Sequence, residues 1–275
     1  MIDIDKLNYA QFVGLINERN RPSGGIKTVQ EVVSNANLNP TKKILEIGST
    51  TGFTSVNLGL LSGAEVVGIE IDEEAVKKAR EYGQKMHADS VKFVHGSALE
   101  MPFEDEVFDL VWCSNATSFI DDKQRAIKEY LRVLKYNGFL VLIPLYYVRK
   151  PSVEWVNRIS KVIGHQVGLW DKQFWVELFR SVGEQNGCAL EVVYDKDYRF
   201  LDRSDYVKTY VKNILVNNLD ETLKTPEIYS GIEKRALELF ELFNENNYKY
   251  AGYSTIILQK RYCLDEEELF LSVAN

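Results

Sequence analysis

From residue 43 onward the chain alternates short β-branched runs with stretches of helical period. That alternation constrains the fold most, because it is what βαβ units on a parallel sheet produce. Lys43-Ile44-Leu45-Glu46-Ile47-Gly48 reads as a first strand ending in a glycine turn, with a helix following over 52–61. A second strand is expected over 65–70, after which Asp72 supplies an N-cap and Glu73 and Glu74 match the helix dipole. The helix behind them should bury Ala75, Ala79, Tyr82 and Met86. Further strands are expected over 91–95, 108–113 and 139–145, with an amphipathic helix over 123–135. Short right-handed crossovers then align the carboxyl ends of the strands along one edge, where doubly wound sheets bind ligands.

After Pro144 the character changes. Tyr146, Tyr147, Trp155, Trp170, Phe174, Trp175 and Phe179 crowd a helical stretch that is either a cap or a packed helix pair, and the segments 146–187 and 201–249 are taken as an aromatic-rich lid. Two more strands are expected over 190–194 and 253–258, the alternation of the second suiting an antiparallel or edge position. Ser204 reads as the cap of one helix, and Thr225-Pro226-Glu227 as the start of another with proline at its first position. The expected division is an N-terminal helical segment or lid over 1–42, a ligand-binding α/β core over 43–145, the remainder of the core with its helical cap over 146–261, and a tail over 262–275. The tail, acidic and then apolar, leaves room for a homodimer contact.

Composition narrows the function. An apolar fraction of 45% and an aromatic fraction of 12% fit a folded chain of 275 residues. The net charge of −7 argues against a nucleic-acid partner, since such binding draws on Lys and Arg. The acidic start Met1-Ile2-Asp3-Ile4-Asp5 is unlike a secretory signal, and the apolar run 139–148 is broken by Pro144, so a cytoplasmic protein with no membrane span is expected. Cys113, Cys188 and Cys263 are scattered, and His87 and His95 have no spaced ligand partners, so neither disulfide nor metal is expected.

The chemistry concentrates at Glu46-Ile47-Gly48-Ser49-Thr50-Thr51-Gly52, a strand passing through a glycine turn into a helix. Glycine admits φ > 0 and close backbone approach by a ligand. The dinucleotide fingerprint would need glycines at Thr50 and Phe53, so NAD is disfavoured. Glu70 ends the next strand about 20 residues on, where a carboxylate can accept bonds from ribose hydroxyls.

These residues resemble the class I S-adenosylmethionine-dependent methyltransferases. The likeness runs from Lys43 to about Leu145 through five motifs in order. Ile44 to Gly52 is similar to the first, with Glu46 its acid and Gly48 and Gly52 its outer glycines, and Ser49 between them. Val67 to Asp72 resembles the second, which implies that Glu70 holds the ribose and Ile71 packs on adenine. Phe93 to Ala98, with Met101 to Asp105 and Phe108 to Val111, follows the third and fourth. Arg132 to Gly138 resembles the family's last helix-to-strand turn. The resemblance implies a Rossmann-like α/β fold, doubly wound and seven-stranded with the last strand antiparallel, with helical cap insertions. It also implies S-adenosylmethionine as cofactor, S-adenosylhomocysteine as product, no metal, and a small-molecule methyl acceptor.

Three departures stand out. Thr50 replaces the usual middle glycine, which predicts a negative φ and a slightly wider turn. Ser97, beside Ala98, replaces the Asp that accepts the adenine amino group, keeping a hydroxyl without the charge. Asn137 stands for the usual glycine as a left-handed helix cap. Outside the motifs, Arg21 is a candidate for the methionine carboxylate and Asn115 faces the expected site after strand four. Tyr146 and Tyr147 are candidates to line the acceptor pocket, and His165 is a candidate base. Two other readings stand beside methyl transfer: a non-catalytic binding protein of the same fold, and transfer of another group from a related sulfonium.

Overall fold

The computed structural model describes residues 4–19 and 22–262. Two helices come first, α1 (Tyr9–Leu15) and α2 (Ile26–Asn35), followed by β1 (Lys43–Ile47), α3 (Phe53–Ser62), β2 (Glu65–Glu70), α4 (Glu73–Lys85), β3 (Val91–His95) and β4 (Phe108–Cys113). Then come α5 (Lys123–Val133), β5 (Leu134–Leu142), β6 (Leu145–Tyr147), α6 (Val153–Ile163) and α7 (Lys172–Gln185). The last described elements are β7 (Cys188–Arg199), α8 (Val207–Asn218), α9 (Pro226–Tyr250) and β8 (Ala251–Tyr262).

All the strands lie in one sheet, ordered β3-β2-β1-β4-β5-β8, with β7 on the other edge of β8. Strands β1 to β5 are parallel and β8 runs against them. The three-residue β6 continues β5 along β8 past Pro144, so the expected seven strands are joined by one short eighth. Helices cover both faces. On one, Tyr130 of α5 and Trp175 and Phe179 of α7 pack on Leu140, Leu142 and Leu258. On the other, Val29 and Val32 of α2 and Leu58 of α3 pack on Ile44, Leu110, Val141 and Ile257. A separate cluster joins Phe12, Val13 and Ile16 of α1 to Val211 and Leu215 of α8 and Ile232, Ala236 and Leu239 of α9.

Several expectations are corrected. The aromatic segment 146–187 is not all cap, because Trp175, Phe179 and Val182 put α7 against the sheet. Helix α4 buries Val76, Ala79 and Gly83, whereas Met86 is exposed; Val76 and Ala79 pack with Phe93 of β3, so the buried stripe is rotated from the expected one. Helix α5 stops at Val133 and passes directly into strand, so Lys135 is not helical. The reason lies in β8, whose buried Lys260 donates to the carbonyls of Leu131 and Leu134 at 2.9 and 2.8 Å and so holds the end of the helix. Asn137 does have φ +62°, but it sits inside β5, near the register shift against β4, and caps no helix. Ser204 caps nothing either: α8 begins at Val207 behind Tyr206, without a side-chain cap. Thr225 and Pro226 do open α9. Cys113 and Cys188 are buried thiols, while Cys263 lies outside the described residues. No described helix is long and apolar enough to cross a membrane.

Candidate functional site

The turn after β1 has three residues at positive φ: Gly48 at 70°, Thr50 at 44° and Gly52 at 87°. The negative φ expected of Thr50 is therefore wrong. Its backbone N–H donates to Glu70 Oε2 at 3.0 Å, a charge-assisted bond that offsets the left-handed strain of a β-branched residue. The turn keeps an all-glycine path with a threonine in it. At Gly52 a side chain has no room, since a Cβ would stand 2.8 Å from Phe93 and 3.1 Å from Ala79.

Glu70 joins this turn to the next crossover. Its Oε1 accepts the backbone N–H groups of Ile71 and Asp72 at 2.9 and 3.1 Å, and the residue is 9% exposed. Ile71 beside it is 69% exposed, an aliphatic side chain offered to solvent at the sheet edge. Glu46 lies beneath the turn, where Oε2 accepts the N–H of Ser55 at 2.8 Å and the Ser55 hydroxyl. Burial pushes its carboxyl up to about 7, against the opposing effect of the bonds from Ser55 and Thr54.

The other predicted residues divide. Ser49 is buried, its hydroxyl against Gly68 and its N–H spent on the Ile69 carbonyl, so its side chain belongs to the turn's support. Ser97 is half-buried after β3 and its Oγ accepts the Leu99 N–H at 3.2 Å, while Ala98 packs partly on the core. The side-chain oxygen Oδ1 of Asn115 accepts the Leu145 N–H at 3.1 Å, which ties the end of β4 to the start of β6. Arg21 lies outside the described residues.

Tyr146 and Tyr147 are occupied. The first bonds to the Ser254 hydroxyl at 2.8 Å and the second donates to Asn246 Oδ1 at 3.3 Å, with burial raising both phenols. His165 is half-buried in the connection between α6 and α7, its ring 5.8 Å from that of Phe119.

Two contacts over the turn carry no sequence signal. The Thr51 hydroxyl donates to the carbonyl of Glu18 at 3.0 Å, and the buried Glu18 carboxylate accepts the Tyr210 hydroxyl at 2.6 Å. The segment after α1 thus bridges the turn and α8. Ala116, after β4, sits on Gly48, whose added Cβ would be 2.7 Å from that of Ala116. Glu18 and Ala116 are partners of the turn only through the fold.

Residues 45–142 match the family model described as a methyltransferase domain. An uncharacterized protein of Haemophilus influenzae is 29% identical over 190 residues, covering 66% of this chain and 73% of that protein. The uncharacterized methyltransferase YcgJ of Bacillus subtilis is 28% identical over 132 residues, covering 48% of this chain and 52% of its own length. Among solved structures, the MccD protein superposes with a TM-score of 0.72 at 25% identity, over 88% of this chain and 100% of that one.

Proposed function

Because this chain carries a methyltransferase domain of the class I S-adenosylmethionine-dependent family, we propose that it transfers the methyl group of S-adenosylmethionine to a small-molecule acceptor. The observation that carries the reading is the Glu70 carboxylate. It stands at the end of β2, held toward the glycine turn by the Thr50 N–H, with exposed Ile71 beside it.

The residues present fit the cofactor. Positive φ at Gly48, Thr50 and Gly52 brings backbone, not side chain, to the sheet edge. Glu70 is the group for a ribose hydroxyl, since a carboxylate has about four lone-pair sites and three are taken by backbone N–H groups, which leaves about one for a ligand. Ile71 is the apolar face for the adenine, and Ser97 offers a hydroxyl after β3. The 1–42 segment serves as a lid through the Thr51–Glu18 bond, and Arg21 is the candidate for the methionine carboxylate.

When bound, S-adenosylmethionine supplies an electrophilic methyl on a sulfonium. The protein's task is to align the acceptor in line with that bond and to keep water out. Amine acceptors need no base; Tyr146 and Tyr147, raised by burial and bonded elsewhere, serve as packing walls of the acceptor side. Helices α6, α8 and α9 form its cap.

Calorimetric titration tests the reading, with S-adenosylmethionine, S-adenosylhomocysteine and NAD as ligands. Both adenosyl ligands are expected to bind in the micromolar range and NAD not at all. Glu70→Ala should abolish binding, and Glu70→Gln, which keeps one acceptor oxygen, should weaken it less. An inert wild type would overturn the cofactor assignment. Intact binding with no methyl transfer to any amine, phenol or carboxylate in a broad panel would leave a binding protein instead.

A further inference from the structure

Three segments of chain meet at one end of β8. Strands β6 and β7 both run against β8, with Tyr147 opposite Ala251 and Arg199 opposite Gly252, so the chain leaves β6, leaves β7 and enters β8 from α9 side by side. Hydrogen bonds hold these segments together. The N–H groups of Val148 and Arg149 donate to the Tyr250 carbonyl at 2.8 and 3.2 Å. Asn244 of α9 accepts the Arg203 N–H through Oδ1 and donates through Nδ2 to Asp202 Oδ1, both at 2.9 Å. The Trp155 ring lies 5.7 Å from that of Tyr250, which brings the start of α6 to the same place. Because β8 is antiparallel to β5, this end of β8 lies at the carboxyl edge of the parallel strands, the edge that carries the glycine turn. What these segments show to solvent is apolar tips among cations. Leu201 is 77% exposed and Val153 71%, and Val148, Tyr206 and Tyr248 are exposed as well. Within 148–150, 199–206 and 245–250 stand five exposed cations, Arg149, Lys150, Arg199, Arg203 and Lys249, against three carboxylates. Two of the three are engaged, Asp202 with Asn244 and the Ser204 N–H, and Glu245 with Lys249. In a chain of net charge −7 the sign is locally inverted.

We propose that this surface docks on an anionic lipid membrane as a peripheral contact, with Leu201 and Val153 entering the acyl boundary and Arg149, Lys150, Arg199 and Arg203 meeting the headgroups. Docking of this kind holds whether or not the chain transfers a methyl group. A lipid surface needs no matching groove. Exposed aliphatic tips gain by entering hydrocarbon, tyrosines suit the headgroup level, and each Lys or Arg adds attraction to acidic headgroups. An acidic polypeptide would meet the cations and leave Leu201 and Val153 in water. The chain's own acidic run 265–268 starts from the far end of β8, about 36 Å away at about 3.3 Å per residue. The six residues beyond Tyr262 span only about 20 Å, so that run does not reach these cations.

Vesicle flotation of the full chain tests the docking, with vesicles of phosphatidylcholine alone and of an equal mixture of phosphatidylcholine and phosphatidylglycerol. Binding is expected to the mixture only. It should weaken as salt rises from about 0.1 to about 1 M, where the Debye length shrinks from about 10 to about 3 Å. Arg149→Gln combined with Lys150→Gln should weaken binding about twentyfold, at about fivefold per charge. Leu201→Ser should weaken it about tenfold, with the urea midpoint unchanged in each variant. Absence of binding to both vesicles, or equal binding to both, overturns the proposal. So does binding that neither set of substitutions weakens, since the contact then lies elsewhere. Retention on polyglutamate that equals vesicle binding and ignores Leu201→Ser would assign an acidic polypeptide instead. A dimer in sedimentation that Leu201→Ser disperses, without vesicle binding, would assign a second copy of this chain. If the paired substitution does not fold, Leu201→Ser and the wild-type contrast between the two vesicles decide together.

Discussion

The glycine-turn half of the sheet and the β7–β8 half are both held by buried polar contacts, but over very different spans of chain. Glu46 meets Ser55 nine residues away and Glu70 meets Thr50 twenty away. In the other half Tyr147 reaches Asn246 across 99 residues, Tyr146 reaches Ser254 across 108, and Glu31 takes the Thr255 hydroxyl across 224. A polar contact that closes within one βαβ unit leaves a spacing in the sequence. One that closes across the fold leaves only a polar residue in an apolar stretch.

The difference can be broken from the local side first. Gly52→Ala adds a Cβ at φ +87° against Phe93 and the backbone of Ala79, and should cost about 2–4 kcal/mol in urea unfolding. A cost under about 1 kcal/mol would mean that the turn is loosely packed. Next comes Glu46. Its carboxyl is raised in the folded chain to about 7, above its ordinary range near 4.5. The unfolded chain thus gives up this proton first. Stability should fall by up to about 3 kcal/mol between pH 4.5 and 7 and level off above. Glu46→Gln should remove that slope; a slope that survives the substitution belongs to other groups.

On the long-range side, Asn246→Ala takes the acceptor from both Tyr147 and the Trp155 indole, which donates to Oδ1 at 3.0 Å. About 2 kcal/mol should be lost by the same measurement. If the loss matches that of a surface asparagine, the cap is not held there. The smallest effect is reserved for Thr50→Gly. Relief of left-handed strain and the extra freedom of unfolded glycine nearly cancel, so stability should change by less than about 1 kcal/mol. A large loss would put Thr50's side chain, rather than its N–H, at the centre of the turn.

How far the sequence could be read follows the same division. Glu46, Gly48, Gly52 and Glu70 were legible because strand, turn and crossover lengths dictate where backbone and carboxylate meet. Thr50 was misjudged within that region. Residue-type rules assign its φ without the Glu70 bond that compensates it. Asn137's positive φ was legible, its setting was not, because Lys260 ends the helix from the opposite end of the chain. Ser204 looked like a cap by local pattern, yet α8 begins three residues on at Val207. Trp175 read as one aromatic among many in a presumed cap. Only the packing of α7 on the sheet sets it apart.

The three N–H groups gathered on Glu70 also have a consequence in time. The amides of Thr50, Ile71 and Asp72 share one carboxylate, so each opening that frees the side chain exposes all three to solvent together. Two crossovers twenty residues apart in sequence therefore keep a common clock, and a molecule that settles on Glu70 slows it for both at once.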